Sequence, residues 1–327
     1  MSSFWADVSA ELSAGRPVFL AFVVAHGRGS PGTAGARLAL FVDGRQHGTI
    51  GGAIMEQRTL DAGLQRLADD TGRHDRPRLE RLRHRRRDPT VIGRGESGLI
   101  CAGWQQNVGL VLRPRVDERV AGELARRAEQ ERGSLRIDAA GLHLEDDDCG
   151  GDTGIRFKPG DDWCYQESLL QRRRVAILGG GHCGAALTRL MLELGWHVTL
   201  FERRSDLHTL GTVRESFIPV QSFDESASRL RRPEWTDAVV MTSDYRGDVD
   251  ALAGCLRQPL RSIGVMGAPA KLRAIREALR TRGVSEAELE RIRGPVGLPI
   301  GSDTPMEVAV SVAAELLQMR GTQASAP

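Results

Sequence analysis

"AILGGGHCGAAL", residues 176–187, decides how the second half of this chain is read. Its glycines at 179, 181 and 184 make G-x-G-x-x-G between an apolar run, "RVAIL", and a stretch of helical spacing, "AALTRLMLELG". In that setting the first glycine permits a tight turn, the second lets backbone approach a pyrophosphate, and the third lets helix pack closely on strand. The helix that follows offers its free N–H groups and the positive end of its dipole to phosphate oxygens. Glu202 ends the next strand, at the place where an acid accepts hydrogen bonds from a ribose diol. Arg203 and Arg204 beside it are equally suited to face a phosphate, so the nucleotide is not fixed by these residues. His182 lies inside the turn, where its ring contacts a phosphate or caps the turn, and Cys183 reads as a small residue packing helix on sheet.

Outward from the turn the pattern is regular. From Arg174 the strands "RVAILG", "WHVTLFER", "SFIPV", "TDAVVMTS" and "RSIGVMG" alternate with helical stretches such as "AKLRAIREALRTRG". This alternation predicts a Rossmann-type, doubly wound parallel sheet over 174–327. Thr304, Pro305 and Glu307 read as the start of a last helix, and Ser285 with Glu288 as a second capping box. Lys271, after "MGAPA", is an exposed helix lysine or an anion contact.

The front half has a different grain. "SFWADVSAELSAG" reads as a helix closed by Gly15, "PVFLAFVVA" as a strand, and "ARLALFVDG" as a strand ending in a hairpin turn at Asp43-Gly44. The glycine-rich "GTIGG" then precedes the amphipathic "AIMEQRTLDAGLQRLA". "GLICAGWQQNVGLVLRP" predicts paired strands, "VDERVAGELARRAEQERG" a helix, and "SLRIDAAGLHLEDDD" two more strands. These make an N-terminal α+β domain over 1–145. Residues 146–173, rich in Asp and Gly with little periodicity, read as a linker.

Composition excludes some classes of function. With 327 residues and a formal charge of +2, neither a nucleic-acid role nor a membrane-surface role is supported. The exception is "RPRLERLRHRRR", residues 76–87. It reads as a solvated strand whose Leu79 and Leu82 touch the core, or as a docking patch for an acidic partner or a phosphate-bearing ligand. The five cysteines, at 101, 149, 164, 183 and 255, show no C-x-x-C pair, and an odd count without a signal peptide leads us to expect free thiols in a reducing cytoplasm. No apolar run approaches the roughly 18 residues that span a bilayer.

Taken together, "GSPGTAGARL" (29–38), "GTIGGAIME" (48–56), "GLICAG" (98–103), "LGGGHCG" (178–184), "VTLFERR" (198–204), "IGVMGAPAK" (263–271) and "GPVGLPIGSDTPMEVAVSVAAELL" (294–317) resemble the XdhC/CoxI family in order and spacing. These are accessory proteins for maturation of molybdenum hydroxylases such as xanthine dehydrogenase. The resemblance implies a chaperone that binds the molybdenum cofactor, as molybdopterin or its cytosine dinucleotide form. It also implies that the chaperone protects the cofactor, assists its sulfuration with a cysteine desulfurase, and hands it to the large subunit of an apo molybdenum hydroxylase. Cys101 matches the cysteine of the family's C-G-G motif, and a thiolate suits a molybdenum contact or a sulfur relay. Gly51 and Gly52 match its glycine run, whose N–H groups are suited to cradle a phosphate, and Glu56 matches its acidic position.

Departures from the family are Ala102 and Ala53 within those motifs, Gly32 where an arginine is frequent, and Thr242-Ser243-Asp244-Tyr245 in place of T-H-x-H, with Asp244 and Asp248 left as polar contacts. The turn at Gly179–Gly184 is then expected to hold the cofactor's phosphate or pyrophosphate, or a separate nucleotide, with the metal end toward Cys101. The alternatives are an NAD(P)-dependent oxidoreductase, for which no proton donor announces itself, and a non-catalytic adaptor. A homodimer is the prior for assembly.

Overall fold

Val18 to Val24 are all buried because their strand has apolar material on both faces, and this strand organises the first of two units, residues 1–170 and 171–327. The structure is a computed structural model describing residues 2–69, 71–72, 75–84, 103–150, 154–170 and 173–324.

The first unit begins with α1 (Ser2–Ser13), followed by β1 (Val18–His26), β2 (Arg37–Phe41), β3 (Gln46–Gly48), α2 (Ala53–Leu67), β4 (Arg78–His84), β5 (Gly103–Leu112) and α3 (Glu118–Gln130). Its main sheet runs β3-β2-β1-β5-β4, antiparallel throughout. Even-numbered residues of β1 pack with Phe4, Trp5, Val8 and Leu12 of α1 and with α3, while Phe19, Ala21 and Val23 pack on the α2 side. Burial of each large apolar side chain contributes about 1.5–3 kcal/mol, so the two-sided burial of β1 fixes the sheet between its helices. The expected hairpin forms between β2 and β3, and residues 78–84 of the arginine run form the edge strand β4, with Leu82 buried and Arg81 over the Trp104 ring at 4.6 Å, while 85–87 lie outside the described residues. β5 is one long strand where paired strands were expected, its described part beginning at Gly103.

A second antiparallel sheet, β7-β6-β9-β8, consists of β6 (Ser134–Asp138), β7 (Gly141–Glu145), β8 (Ile155–Lys158) and β9 (Cys164–Ser168). This corrects the linker expected at 146–173, because β8 and β9 lie inside it and β9 pairs with β6 from Ser134↔Ser168 to Asp138↔Cys164. Four- and five-residue strands flanked by Asp and Gly carry too little alternation to stand out in sequence. Ile155 and Phe157 pack inward, and buried Tyr165 donates from its hydroxyl to Glu167 at 2.7 Å. The other oxygen of Glu167 meets Arg37 of β2 at 2.5 Å, an ion pair that ties the two sheets together with little solvent around it.

The second unit contains β10 (Arg174–Leu178), α4 (His182–Glu193), β11 (His197–Glu202), β12 (Phe217–Pro219), β13 (Thr236–Val240), α5 (Tyr245–Leu256), β14 (Ser262–Val265), α6 (Pro269–Thr281), α7 (Glu286–Glu290), β15 (Ile292–Arg293) and α8 (Pro305–Ala324). Its sheet order is β12-β11-β10-β13-β14-β15 and every pairing is parallel. In order of appearance the strands therefore lie 3-2-1-4-5-6, the Rossmann arrangement, with the strand order reversing between β10 and β13. α4 and α8 cover one face, and α5 and α6 cover the other. Both expected capping boxes form, at Ser285–Glu288 and at Thr304–Glu307.

Removing one partner of a buried ion pair costs about 3–5 kcal/mol. We therefore expect Glu167→Gln to lower the urea midpoint of the first unit by the equivalent of about 3 kcal/mol, followed by tryptophan fluorescence. An unchanged midpoint would show that the Arg37 pair does not hold the two sheets together.

Candidate functional site

Three glycines at the end of β10 divide their work as the spacing requires. A Cβ on Gly179, whose φ is 122°, would run into the Met241 carbonyl, and one on Gly184 into the carbonyl of Gly179. A Cβ on Gly181 meets nothing within 4 Å. The outer glycines are thus demanded by packing, while the middle one keeps open space in front of α4. The first N–H of α4 to find an i−4 carbonyl is that of Ala185, to Gly181 at 2.9 Å, so the N–H groups of 182–184 precede the helical ladder. His182 opens the helix and is exposed, its ring edge-on to that of exposed His208 at 5.4 Å. Cys183 is half-buried beneath it, and burial pushes its thiol pKa up, against a reactive thiolate.

Glu202 has a different place from the one the spacing suggests. Its side chain is 2% exposed and turns back into the glycine turn. Oε2 accepts from the Gly180 N–H at 2.7 Å, and Oε1 from the N–H groups of Arg203 and Arg204 at 2.8 and 3.1 Å. The Arg204 guanidinium donates to both oxygens at 3.1 and 3.0 Å. Five donors saturate a carboxylate, which corrects the expectation of a free acid for a ribose diol. The Gly180 carbonyl in turn accepts from Thr209 Oγ1 at 2.7 Å, so Gly180 is held through both its N–H and its carbonyl. Burial raises the Glu202 pKa, but the hydrogen bonds from Arg204 and Gly180 outweigh it and the net shift is downward.

The loop after β13 borders the turn. Asp244 caps α5 by accepting from Gly247 N–H at 2.7 Å, and its second oxygen takes a 2.7 Å bond from Arg203, which also lies 5.1 Å over the Phe223 ring. Asp248 is fully buried, accepts from Thr242 N–H and Oγ1, and pairs through its other oxygen with Lys271. Lys271 is accordingly neither a solvated helix lysine nor a bare anion contact. Its stem crosses Gly267, where a Cβ would sit 2.8 Å from its Cδ.

The first unit gathers its own glycine motifs. A Cβ on Gly51 (φ 121°) would lie 2.7 Å from the Gly32 nitrogen, and one on Gly103 would lie 2.9 Å from the Ser30 nitrogen. The segments 29–33, 48–52 and the start of β5 therefore converge, although the contacts that join them, Gly32 with Gly51 and Ser30 with Gly103, span 19 and 73 residues of sequence. Glu56 of α2 closes this cluster, accepting from Thr49 Oγ1, Ile50 N–H at 2.9 Å and Gly52 N–H at 3.1 Å. Gly51 N–H donates to Thr49 Oγ1 at 3.2 Å, so the N–H groups expected to cradle a phosphate are committed within the loop. Burial raises the Glu56 pKa, and the Thr49 and backbone donors more than reverse it. Below the loops lie buried Gln105 and Asn107, signalled in sequence only by the amide run Gln105-Gln106-Asn107 in a strand that is otherwise largely apolar. Cys101, the expected molybdenum or sulfur contact, lies outside the described residues, two positions before Gly103.

Among the described residues, Cys149, Cys164, Cys183 and Cys255 form no disulfide, and burial raises the pKa of Cys255 to about 12. No described cluster of His, Cys, Asp and Glu could hold a metal ion, and no described helix is long and apolar enough to cross a membrane.

Glu56 and Glu202 both titrate below the ordinary glutamate value of 4.5. Their stabilisation is complete above that value and is lost as pH falls through the lowered folded value. We expect melting temperature to fall as pH drops below 4.5, and Glu202→Gln to flatten part of that fall. Identical pH profiles for wild type and variant would show that the clamp contributes nothing.

Comparison with known proteins agrees with the fold. Residues 175–316 match the XdhC Rossmann domain model and residues 11–81 match that of the XdhC and CoxI family. The chain is 25% identical over 296 residues to the uncharacterized protein YqeB of Escherichia coli (strain K12), covering 90% of this chain and 42% of that one. It is 26% identical over 159 residues to a probable xanthine dehydrogenase subunit of Bacillus subtilis (strain 168), covering 48% of this chain and 46% of the relative. The matches thus span less than half the length of these curated relatives. A crystal structure of a xanthine dehydrogenase from Bacillus halodurans has the same fold, with TM-score 0.74 at 19% identity over 99% of this chain and 98% of that one. With its glycine motifs, its Rossmann unit and both family models in register, the chain belongs to the XdhC and CoxI family.

Proposed function

We propose that this protein is a carrier for the molybdenum cofactor, acting in maturation of a xanthine dehydrogenase-type molybdenum hydroxylase. It shields the cofactor, presents it for sulfuration by a cysteine desulfurase, and delivers it to the large subunit of the apoenzyme. The support is family membership together with one local observation. The Rossmann turn keeps its phosphate side open at Gly181, while the acid that would read a ribose diol, Glu202, is spent inside the protein.

A site of that kind recognises a phosphate or pyrophosphate without depending on the sugar. That suits the tail of a pterin phosphate or its cytosine dinucleotide form better than a nicotinamide dinucleotide. Release to an acceptor requires moderate affinity, and recognition through helix N–H groups and an exposed His182 provides it without a buried charge. Cys101 is proposed as the soft ligand or sulfur relay at the metal end. Homodimerisation remains part of the same proposal, on the frequency of two-fold assemblies alone.

The test is retention of the cofactor. Protein incubated with molybdenum cofactor is separated by size, and the bound pterin is oxidised and quantified by fluorescence. We expect wild type to retain the cofactor and Cys101→Ser to lose it. Gly181→Val should lose at least tenfold in retention with the melting temperature unchanged, since Gly181 has φ −65° and an added Cβ meets nothing within 4 Å. Failure of wild type to retain cofactor, with NAD(P)H bound at the turn and oxidised in the presence of a substrate, would replace the carrier by an oxidoreductase.

A further inference from the structure

Two arginine-rich stretches of the second unit, Arg173-Arg174 and "RLRR" at 229–232, lie far apart in sequence. The parallel sheet brings them together. β10 pairs with β13 from Arg174↔Thr236, and Thr236 Oγ1 donates to the Arg232 carbonyl at 2.6 Å, which holds the second stretch against the first. Between the opening residues of β10, β11 and β13 and the loop at 229–231 lies a cavity of about 270 Å³.

Arg174, Arg229, Arg231 and His197 line this cavity against one carboxylate, Glu215. Arg174 is 4% exposed, so it carries its charge into the wall rather than out to solvent. Arg229 is tied through Nη1 to the Pro219 carbonyl at 2.9 Å. Arg231 and Glu215 are exposed, and neither makes an ion pair among the described residues. Val175, Val198 and Leu230 supply an apolar part of the lining. Charges of one sign gathered on such walls repel one another, and by focusing the field they concentrate ions of the opposite sign. Guanidinium groups match the oxygens of a phosphate or carboxylate two at a time.

We infer that this cavity binds a small, multiply charged oxyanion, a phosphate compound or a polycarboxylate, with Arg231 as the free cation that meets it. The site is separate from the glycine turn. Arg174 opens β10 and the turn follows Leu178 at its other end, so the length of the strand, about 13 Å, lies between them. The inference therefore does not rest on the carrier reading. An anion held here joins the 229–231 loop to the first residues of three strands, and its binding stabilises the second unit.

The experiment titrates full-length Gly181→Val protein, whose glycine turn is blocked, with inorganic pyrophosphate and separately with citrate. Binding is followed by calorimetry at an ionic strength held constant with sodium chloride. We expect one equivalent of at least one of these anions to bind, and Arg231→Glu added to the same protein to weaken that binding at least tenfold. The melting temperature without anion should hold or rise in Arg231→Glu, because a repelling charge has gone. Binding of pyrophosphate alone supports the inference and identifies a phosphate compound, and binding of citrate alone supports it and identifies a polycarboxylate. Binding of neither overturns it, as does equal affinity with and without Arg231→Glu. If Arg231→Glu melts early, Arg231→Gln decides. Weakened binding at an unchanged melting temperature then supports the inference, and unchanged affinity overturns it.

Discussion

The carboxylate of Glu202 is the interaction on which the second unit depends. It sits at the C-terminal end of β11, yet it bonds the peptide of Gly180 on the neighbouring strand's turn and holds Arg204 over itself. Through it the G-x-G-x-x-G loop is fixed before any ligand arrives, and α4 is aimed so that its N-terminus faces the open side of Gly181. Glu56 does the same in the first unit, where a buried carboxylate collects the Ile50 and Gly52 N–H groups and fixes the start of α2. Each unit thus has a glycine turn clamped by a buried glutamate, and each clamp uses a carboxylate whose net charge the turn's own donors stabilise.

This arrangement separates two properties that dinucleotide sites combine. Phosphate recognition needs backbone N–H groups and room for oxygen atoms, and both survive at Gly181. Sugar recognition needs an acid with free lone pairs, and Glu202 has none to offer. The neighbouring polar groups are equally committed: Arg203 to Asp244, Asp248 to Thr242 and Lys271. The mouth of the parallel sheet is therefore rigid and charged, but mostly satisfied. Such a mouth suits the phosphorylated cargo proposed for it.

Much of this was legible in sequence because local period and glycine spacing are local facts. The strand-turn-helix at 174–193, the hairpin at Asp43-Gly44 and the capping boxes all arise from residues within a few positions of one another. What stayed hidden depends on partners far away in sequence. β8 and β9 become strands because β6 supplies their ladder, against an Asp- and Gly-rich local composition. Lys271 is fixed by Asp248, more than twenty residues before it, and the fate of the Glu202 lone pairs is decided by a turn that begins over twenty residues upstream. The convergence of the 29–33, 48–52 and 103 segments follows from β1 pairing with both β2 and β5. Spacing along the chain carries no trace of that closure.

Delivery of cargo is the most direct measure of the central claim. Loaded protein, freed of unbound cofactor, is mixed with an apo molybdenum hydroxylase of the xanthine dehydrogenase type, and substrate hydroxylation is followed with time. A carrier whose turn holds phosphate and leaves the sugar unread should activate the apoenzyme in proportion to the cofactor it brings, and should oxidise no NAD(P)H of its own. Activation no greater than with buffer alone, or oxidation of NAD(P)H by the protein without the apoenzyme, would contradict the account.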